Sequence, residues 1–292
     1  SIDNFLGRSH TEQPHDKNLT NLQHDLTTDL SLKLHNKKID FIINCSGCAS
    51  PYFYEKYPLE TMEVSTIGTK NMLQLALNHN ARILNFSSSE VVGTPPPEFI
   101  PTDEEYTPTV KTFDKRSCYD VTKMYIETLS YVFKDQFNLD CKVVRPFNVI
   151  GYFRQDDQRV IPNFMSKCIN NEKIRVYAPG NQTRSFLYID ECLEGVLRLM
   201  QSEFIGPVNI GSEEMVSINQ LATLTMKIAE KNLKVNHIPG PLGVRGRNSD
   251  NTLIQKKLGW KPTESLEDGL IKTYEWIAEQ VEIKKTKNNL SQ

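Results

Sequence analysis

An α/β fold, a doubly wound parallel sheet followed by a smaller mixed α/β lobe, is predicted by three features of this 292-residue sequence. Short, nearly continuous apolar runs alternate with longer amphipathic stretches through the first half, the pattern of buried parallel strands wrapped by helices. A serine-rich run at the end of one such strand is followed, about 30 residues on, by a helix opening with Tyr-x-x-x-Lys. Beyond Gly151 the segments shorten and are broken by Pro162, Pro179, Pro207, Pro239, Pro241 and Pro262.

Taken in order, Asp40 to Cys45 (DFIINC) reads as a buried strand. Glu60 to His79 carries Met62, Ile67, Met72, Leu73 and Ala76 at helical spacing. Arg82 to Ser87 is the next strand, Tyr119 to Phe137 a long helix, and Lys142 to Asn148 a further strand. The expected division is 1–150 for the doubly wound domain and 151–280 mainly for the smaller lobe, some of whose elements rejoin the main sheet. The polar tail 281–292 is expected to fray.

Composition narrows the function. A net charge of −2 provides no basic field for nucleic acid or an anionic membrane. No run reaches the roughly 18 apolar residues of a membrane span, and the polar N-terminus lacks a signal-peptide core, so a cytoplasmic protein is expected. Of six cysteines only Cys45 and Cys48 have ligand-like spacing, and no second pair follows, so no metal site is expected. They read as small residues at a strand end. The six histidines occur singly, His24 and His237 reading as structural.

The opening of the chain departs from a dinucleotide-binding sheet, which begins with a strand, a glycine-rich turn and a helix holding the pyrophosphate. The first glycine is Gly7, and no Gly-x-Gly-x-x-Gly occurs. Ser1 to Phe5 resembles the end of a second strand, where an acidic residue meets the adenosine ribose, which makes Asp3 a cofactor candidate. The first β-α unit is therefore expected upstream, about 25–40 residues. The alternative is a complete chain with Asp3 in a solvated turn.

Tyr119 and Lys123, four apart, share one helix face. A phenol ionises near pH 10, and a neighbouring ammonium stabilises its phenolate and brings it toward the working range of a general base. At the serine-rich strand end, Ser88 and Ser89 supply hydroxyls and Glu90 a carboxylate, at the sheet edge where open α/β proteins bind ligands.

Together SSSEVVG, RSCYDVTK, VVRPFNVIG, NQTRSFLYIDE and KLGWKP resemble the extended short-chain dehydrogenase/reductases that act on nucleotide sugars, from Asp3 to about Gln280. The resemblance implies a Rossmann-type NAD domain, a nucleotide-sugar lobe and a homodimer built on a four-helix bundle. It implies Tyr119 as base for the sugar C4 hydroxyl, Lys123 as the ribose-binding partner and Ser88 as the group hydrogen-bonded to the C4 oxygen. Asp25 falls where the family contacts adenine, Asn148 against the sugar diphosphate, and Tyr177 where a nucleobase stacks. Arg184 and Arg247 suit phosphate, Arg184 alternatively the departing carboxylate.

Two subfamilies divide the likeness. The catalytic stretch resembles UDP-glucuronate decarboxylases, with Ser88 in place of Thr and Val92 in place of Tyr. The C-terminal third resembles GDP-mannose 3,5-epimerases, which need a cysteine at Glu90 and a lysine near Val160. The 4,6-dehydratases carry an acidic residue at Ser89. The expected activity is an NAD-dependent conversion through a 4-keto sugar, with decarboxylation favoured and epimerisation or dehydration as alternatives. A non-catalytic nucleotide-sugar-binding relative is the alternative of another class.

Overall fold

The computed structural model describes residues 1–6, 16–29, 34, 37–152, 159–240 and 246–290. The backbone groups into two compact units. The first comprises Ser1–Gly93, Pro108–Arg145 and Val196–Val208, the second Thr94–Thr107, Pro146–Gly195 and Asn209–Gln292.

The first unit opens with β1 (Ile2–Asp3) and β2 (Leu22–Gln23), a parallel pair with Ile2 opposite Leu22. β3 (Phe41–Asn44) follows, then α1 (Pro51–Lys56) and α2 (Pro58–Glu63), each begun by a proline that fits the first helical turn. A π-helical turn, Val64–Gly68, carries α2 into α3 (Thr69–His79), which ends on Asn80 in the left-handed conformation. Next come β4 (Arg82–Phe86), α4 (Ser117–Phe137) and β5 (Cys141–Pro146).

β3, β4 and β5 are parallel neighbours, with Asn44 opposite Asn85 and Asn85 opposite Val143. The predicted strands and helices of this half fall on these elements. β4 and β5 are almost wholly buried, which is why their sequences read as unbroken apolar runs. β3 lies at the sheet edge, leaving Phe41 and Ile43 exposed on alternate positions. Leu73, Ala76, Ile83, Phe133 and Cys141 form the core beneath, each large apolar side chain contributing about 1.5–3 kcal/mol by burial.

The second unit holds β6 (Val149–Ile150), α5 (Val160–Ile169), β7 (Ile174–Tyr177), β8 (Thr183–Ser185) and β9 (Leu187–Tyr188). α6 (Ile189–Gln201) and β10 (Val208–Ile210) straddle the division of the chain, and β10 extends the main sheet in the order β10-β5-β4-β3. β11 (Met215–Ser217), α7 (Ile218–Ile228), β12 (Val235–Ile238), β13 (Gly246–Arg247), α8 (Thr252–Leu258) and α9 (Leu266–Leu290) complete it. Ser217 and Gln220 close a reciprocal capping box at the start of α7. α9 continues through the residues expected to fray: no glycine or proline interrupts them, and the Lys285 ammonium pairs with Glu282 at 2.9 Å.

Candidate active site

Lys123 is the most informative side chain of the first unit. It lies on the buried face of α4, with Tyr119, Thr122, Ile126 and Phe133, and is 4% exposed, unusual for a lysine. Its ammonium donates to the Phe86 carbonyl at the end of β4 (2.7 Å) and lies 5.6 Å from the Tyr119 ring centroid. Helical spacing and this anchor therefore bring the two predicted partners together. Burial lowers the Lys123 pKa to about 8, against the opposing pull of Cys45 and Glu127. Gly47, at φ +139, a conformation side chains rarely adopt, lies near the ammonium, where a Cβ would stand 3.7 Å from Lys123 Nζ.

Tyr119 is buried and stacked on Tyr54, with ring centroids 5.2 Å apart and planes inclined by 19°. Tyr54 is 2% exposed, its hydroxyl has no partner among the described residues, and burial pushes its phenol well above the ordinary range.

The strand end turns sharply after Phe86. Ser88 caps a short 3-10 turn, Ser89–Val92, its Oγ accepting the Glu90 N–H at 3.2 Å. A hydroxyl that accepts in this way keeps its own hydrogen to donate. Ser89 is buried within the turn. Glu90 is half-buried, and its carboxylate accepts from the Arg116 guanidinium at 2.6 Å, while Arg116 Nε lies 3.8 Å from Asp120. Arg116 opens the RSCYDVTK stretch, but the sequence assigned it no role.

A second network was also missed. The Ser87 hydroxyl donates to Glu127, whose carboxylate is forked by Arg145 at 2.8 and 2.7 Å. Glu127 was discoverable, since it continues the four-residue spacing of Tyr119 and Lys123. Arg145 was signalled only by a charge inside an apolar strand.

At the ends of β1 and β2, Asp3 accepts from the Phe5 N–H and Asp25 from the Thr27 N–H, the Thr27 hydroxyl and Asn4. The backbone N–H of Thr27 is the main cause that holds Asp25 below its ordinary pKa. The two predicted carboxylates thus end neighbouring parallel strands.

In the second unit, Asn148 adopts φ 36 between β5 and β6, rather than continuing the strand, and donates to the Ser185 carbonyl at 3.0 Å. Arg184 and Arg247 are register partners on β8 and β13, Arg247 being buried. Tyr177 is 46% exposed at the end of β7 and lies against Gly240, where any Cβ would meet its ring at 2.1 Å. Among the described residues no cluster of His, Cys, Asp and Glu is placed to hold a metal ion, and no helix is long and apolar enough to cross a membrane.

Comparison with known proteins identifies the family. The model of the NAD dependent epimerase/dehydratase family matches residues 2–211. GDP-mannose 3,5-epimerase 1 of Oryza sativa subsp. indica is 38% identical over 268 residues, 88% of this chain and 69% of that protein. UDP-glucuronic acid decarboxylase 5 of Arabidopsis thaliana is 35% identical over 251 residues, 85% and 72% of the two. Among solved structures, UDP-N-acetylglucosamine 4-epimerase from Methanobrevibacter ruminantium M1, in complex with UDP-N-acetylmuramic acid, is similar with a TM-score of 0.84. That likeness covers 96% of this chain and 90% of the other, at 26% identity. The chain belongs to the NAD dependent epimerase/dehydratase family, and NAD is the cofactor it works with.

Proposed function

We propose that this chain converts a nucleotide sugar through a 4-keto intermediate, and that its favoured reaction is decarboxylation of a UDP-uronate. The observation that carries the reading is Glu90, a carboxylate paired with Arg116, two residues beyond Ser88 in the unit that joins Tyr119 to Lys123.

The residues present fit NAD at its nicotinamide ribose. Lys123 is buried, and among the described residues its ammonium donates to Phe86 O, one of three donors, which leaves two for ribose hydroxyls. Asp3 and Asp25 fit the adenosine end. When bound, NAD supplies a reversible acceptor for the C4 hydrogen and its electron pair.

The protein's own groups do the rest. Tyr119 takes the proton of the C4 hydroxyl, its phenolate stabilised by the Lys123 ammonium. Ser88 donates to the C4 oxygen. The C6 carboxylate then lies β to a ketone. The C5–C6 bond breaks, its electrons pass into the C4 carbonyl as an enolate, and carbon dioxide leaves. C5 takes a proton, which Glu90 relays from solvent while Arg116 holds the carboxylate in place, and the C4 ketone would then regain the hydrogen and electron pair held by the cofactor together with the proton held by Tyr119. Arg184 and Arg247 offer guanidinium forks for the diphosphate, Asn148 and Ser89 polar contacts, and Tyr177 a ring for the base.

Epimerisation is the second reading, favoured by the identity to GDP-mannose 3,5-epimerase. Against it, Glu90 occupies the expected cysteine position, and Val160 begins α5 near the expected lysine. Incubation with a panel of UDP- and GDP-sugars and uronates, read by product mass, decides. Loss of carbon dioxide from a UDP-uronate supports the proposal. Loss of water, or an isomer of unchanged mass, assigns the alternatives.

The homodimer belongs to the same proposal. Leu59 and Met62 on α2, Ile67 on the π turn, and Tyr125 and Tyr131 on α4 are exposed apolar side chains on elements that touch one another, a surface suited to a second copy. All six cysteines are free, which supports a reducing, cytoplasmic setting.

A further inference from the structure

Buried charges outside the reacting groups need an account, because a carboxylate withdrawn from water is retained only where it is paired. Glu127 is such a group. Its side chain is 17% exposed and that of Arg145 is 11%. It lies one helical turn beyond Lys123 on α4, as Lys123 lies one turn beyond Tyr119. Its carboxylate is fully engaged: Arg145 Nε and a terminal nitrogen donate at 2.8 and 2.7 Å, and Ser87 Oγ donates as well.

These partners come from the structure that holds the lysine. Ser87 immediately follows Phe86, whose carbonyl accepts from the Lys123 ammonium. Arg145 stands on β5, which is hydrogen-bonded to β4 along the Phe86–Val144 register. The network therefore fastens the carboxyl end of β4, the end of β5 and one face of α4 at a single point. We propose that Glu127 is a positioning residue for Lys123: clamped by Arg145 and Ser87, it fixes the strand end to which the ammonium is anchored and sets a carboxylate one helical turn away from it. The inference rests on the reading of Tyr119 and Lys123 as the catalytic pair and adds a third helical turn to it.

Among the described residues the charged and titratable groups about Lys123 are Tyr119 and Glu127 on α4, Cys45 after β3, and Arg145 on β5, bound to Glu127. The two members of the clamp thus act on the ammonium with opposite sign. The test is NMR of the full chain carrying 13Cε-labelled lysine, with the Lys123 signal assigned from its loss in Lys123→Met and titrated from neutral to alkaline pH. In Glu127→Gln the Lys123 midpoint is expected to move to lower pH. In Arg145→Met, which leaves the carboxylate without its cationic neighbour, it is expected to move to higher pH. Glu127→Asp should restore the midpoint toward the parent value.

General loosening of the core would move both variants in one direction, toward the ordinary lysine value. Midpoints that coincide with the parent in both folded variants, or that shift in the same direction, overturn the proposal. Should Glu127→Gln fail to fold, judged by circular dichroism, Glu127→Asp decides in its place: a Lys123 midpoint at or below the parent value is expected, and a midpoint raised toward the ordinary lysine value overturns the proposal. Failure of the catalytic reading is seen separately, as turnover that survives Tyr119→Phe.

Discussion

A lysine ammonium almost completely withdrawn from water carries a desolvation cost, and that cost depends on pH. Burial brings the Lys123 pKa from 10.5 to about 8. Between those values the unfolded chain holds a proton that the folded chain has released, so this group's contribution to stability rises as pH increases through the window. Below about pH 8 the folded protein carries the full cost of the buried charge. Lys123→Met removes the dependence. Denaturant unfolding of parent and variant at pH 7 and pH 10 should show the parent gaining on the variant, by at most about 3 kcal/mol. An equal difference at both pH values contradicts the assignment. A side chain kept at such a cost is kept for function. At this scale the sequence was partly legible: Tyr119 and Lys123 announce themselves by spacing and Ser88 and Glu90 by their place at a strand end. Arg116 with Glu90, and Arg145 with Glu127, are pairings made by folding, across 26 and 18 residues, and no local pattern signals them.

Elements of secondary structure translate these residues into a site. The end of β4 presents Ser88 and Glu90, the start of α4 presents Tyr119, and the Lys123 anchor to Phe86 O ties the two. Between β3 and β4, Asn44 donates to Asn85 and Asn85 to Ser130 on α4, a buried polar ladder that sets the register of helix against sheet. Apolar runs and helical periodicity revealed these elements because burial dictates both. The π turn at Val64–Gly68 was hidden, since it preserves the apolar pattern while shifting it by one residue. The same stretch carries the exposed Met62 and Ile67 beside α4, and there the assembly prediction belongs. Replacing Leu59 and Ile67 together by Arg should convert the proposed dimer to monomer in sedimentation analysis without loss of helix content. A parent protein that already sediments as a monomer removes this face as an interface.

For the whole molecule, the sequence conveyed the class of fold and its order of elements, because a parallel sheet wrapped by helices leaves a periodic record. It conveyed less about where the chain changes unit: Thr94–Thr107, a proline-rich and acidic stretch, groups with the second unit and Val196–Val208 with the first. The phosphate candidates Arg184 and Arg247 are distant in sequence and meet as register partners, a pairing only a folded sheet creates. Tyr119 is the proposed base of an NAD-dependent conversion of a nucleotide sugar. The direct measurement compares parent and Tyr119→Phe, each supplied with NAD and UDP-glucuronate, by product mass over time. The parent should release carbon dioxide from the sugar, and the variant, equally folded, should be slower by about 10²–10⁴-fold. Equal rates for the two proteins would contradict the account.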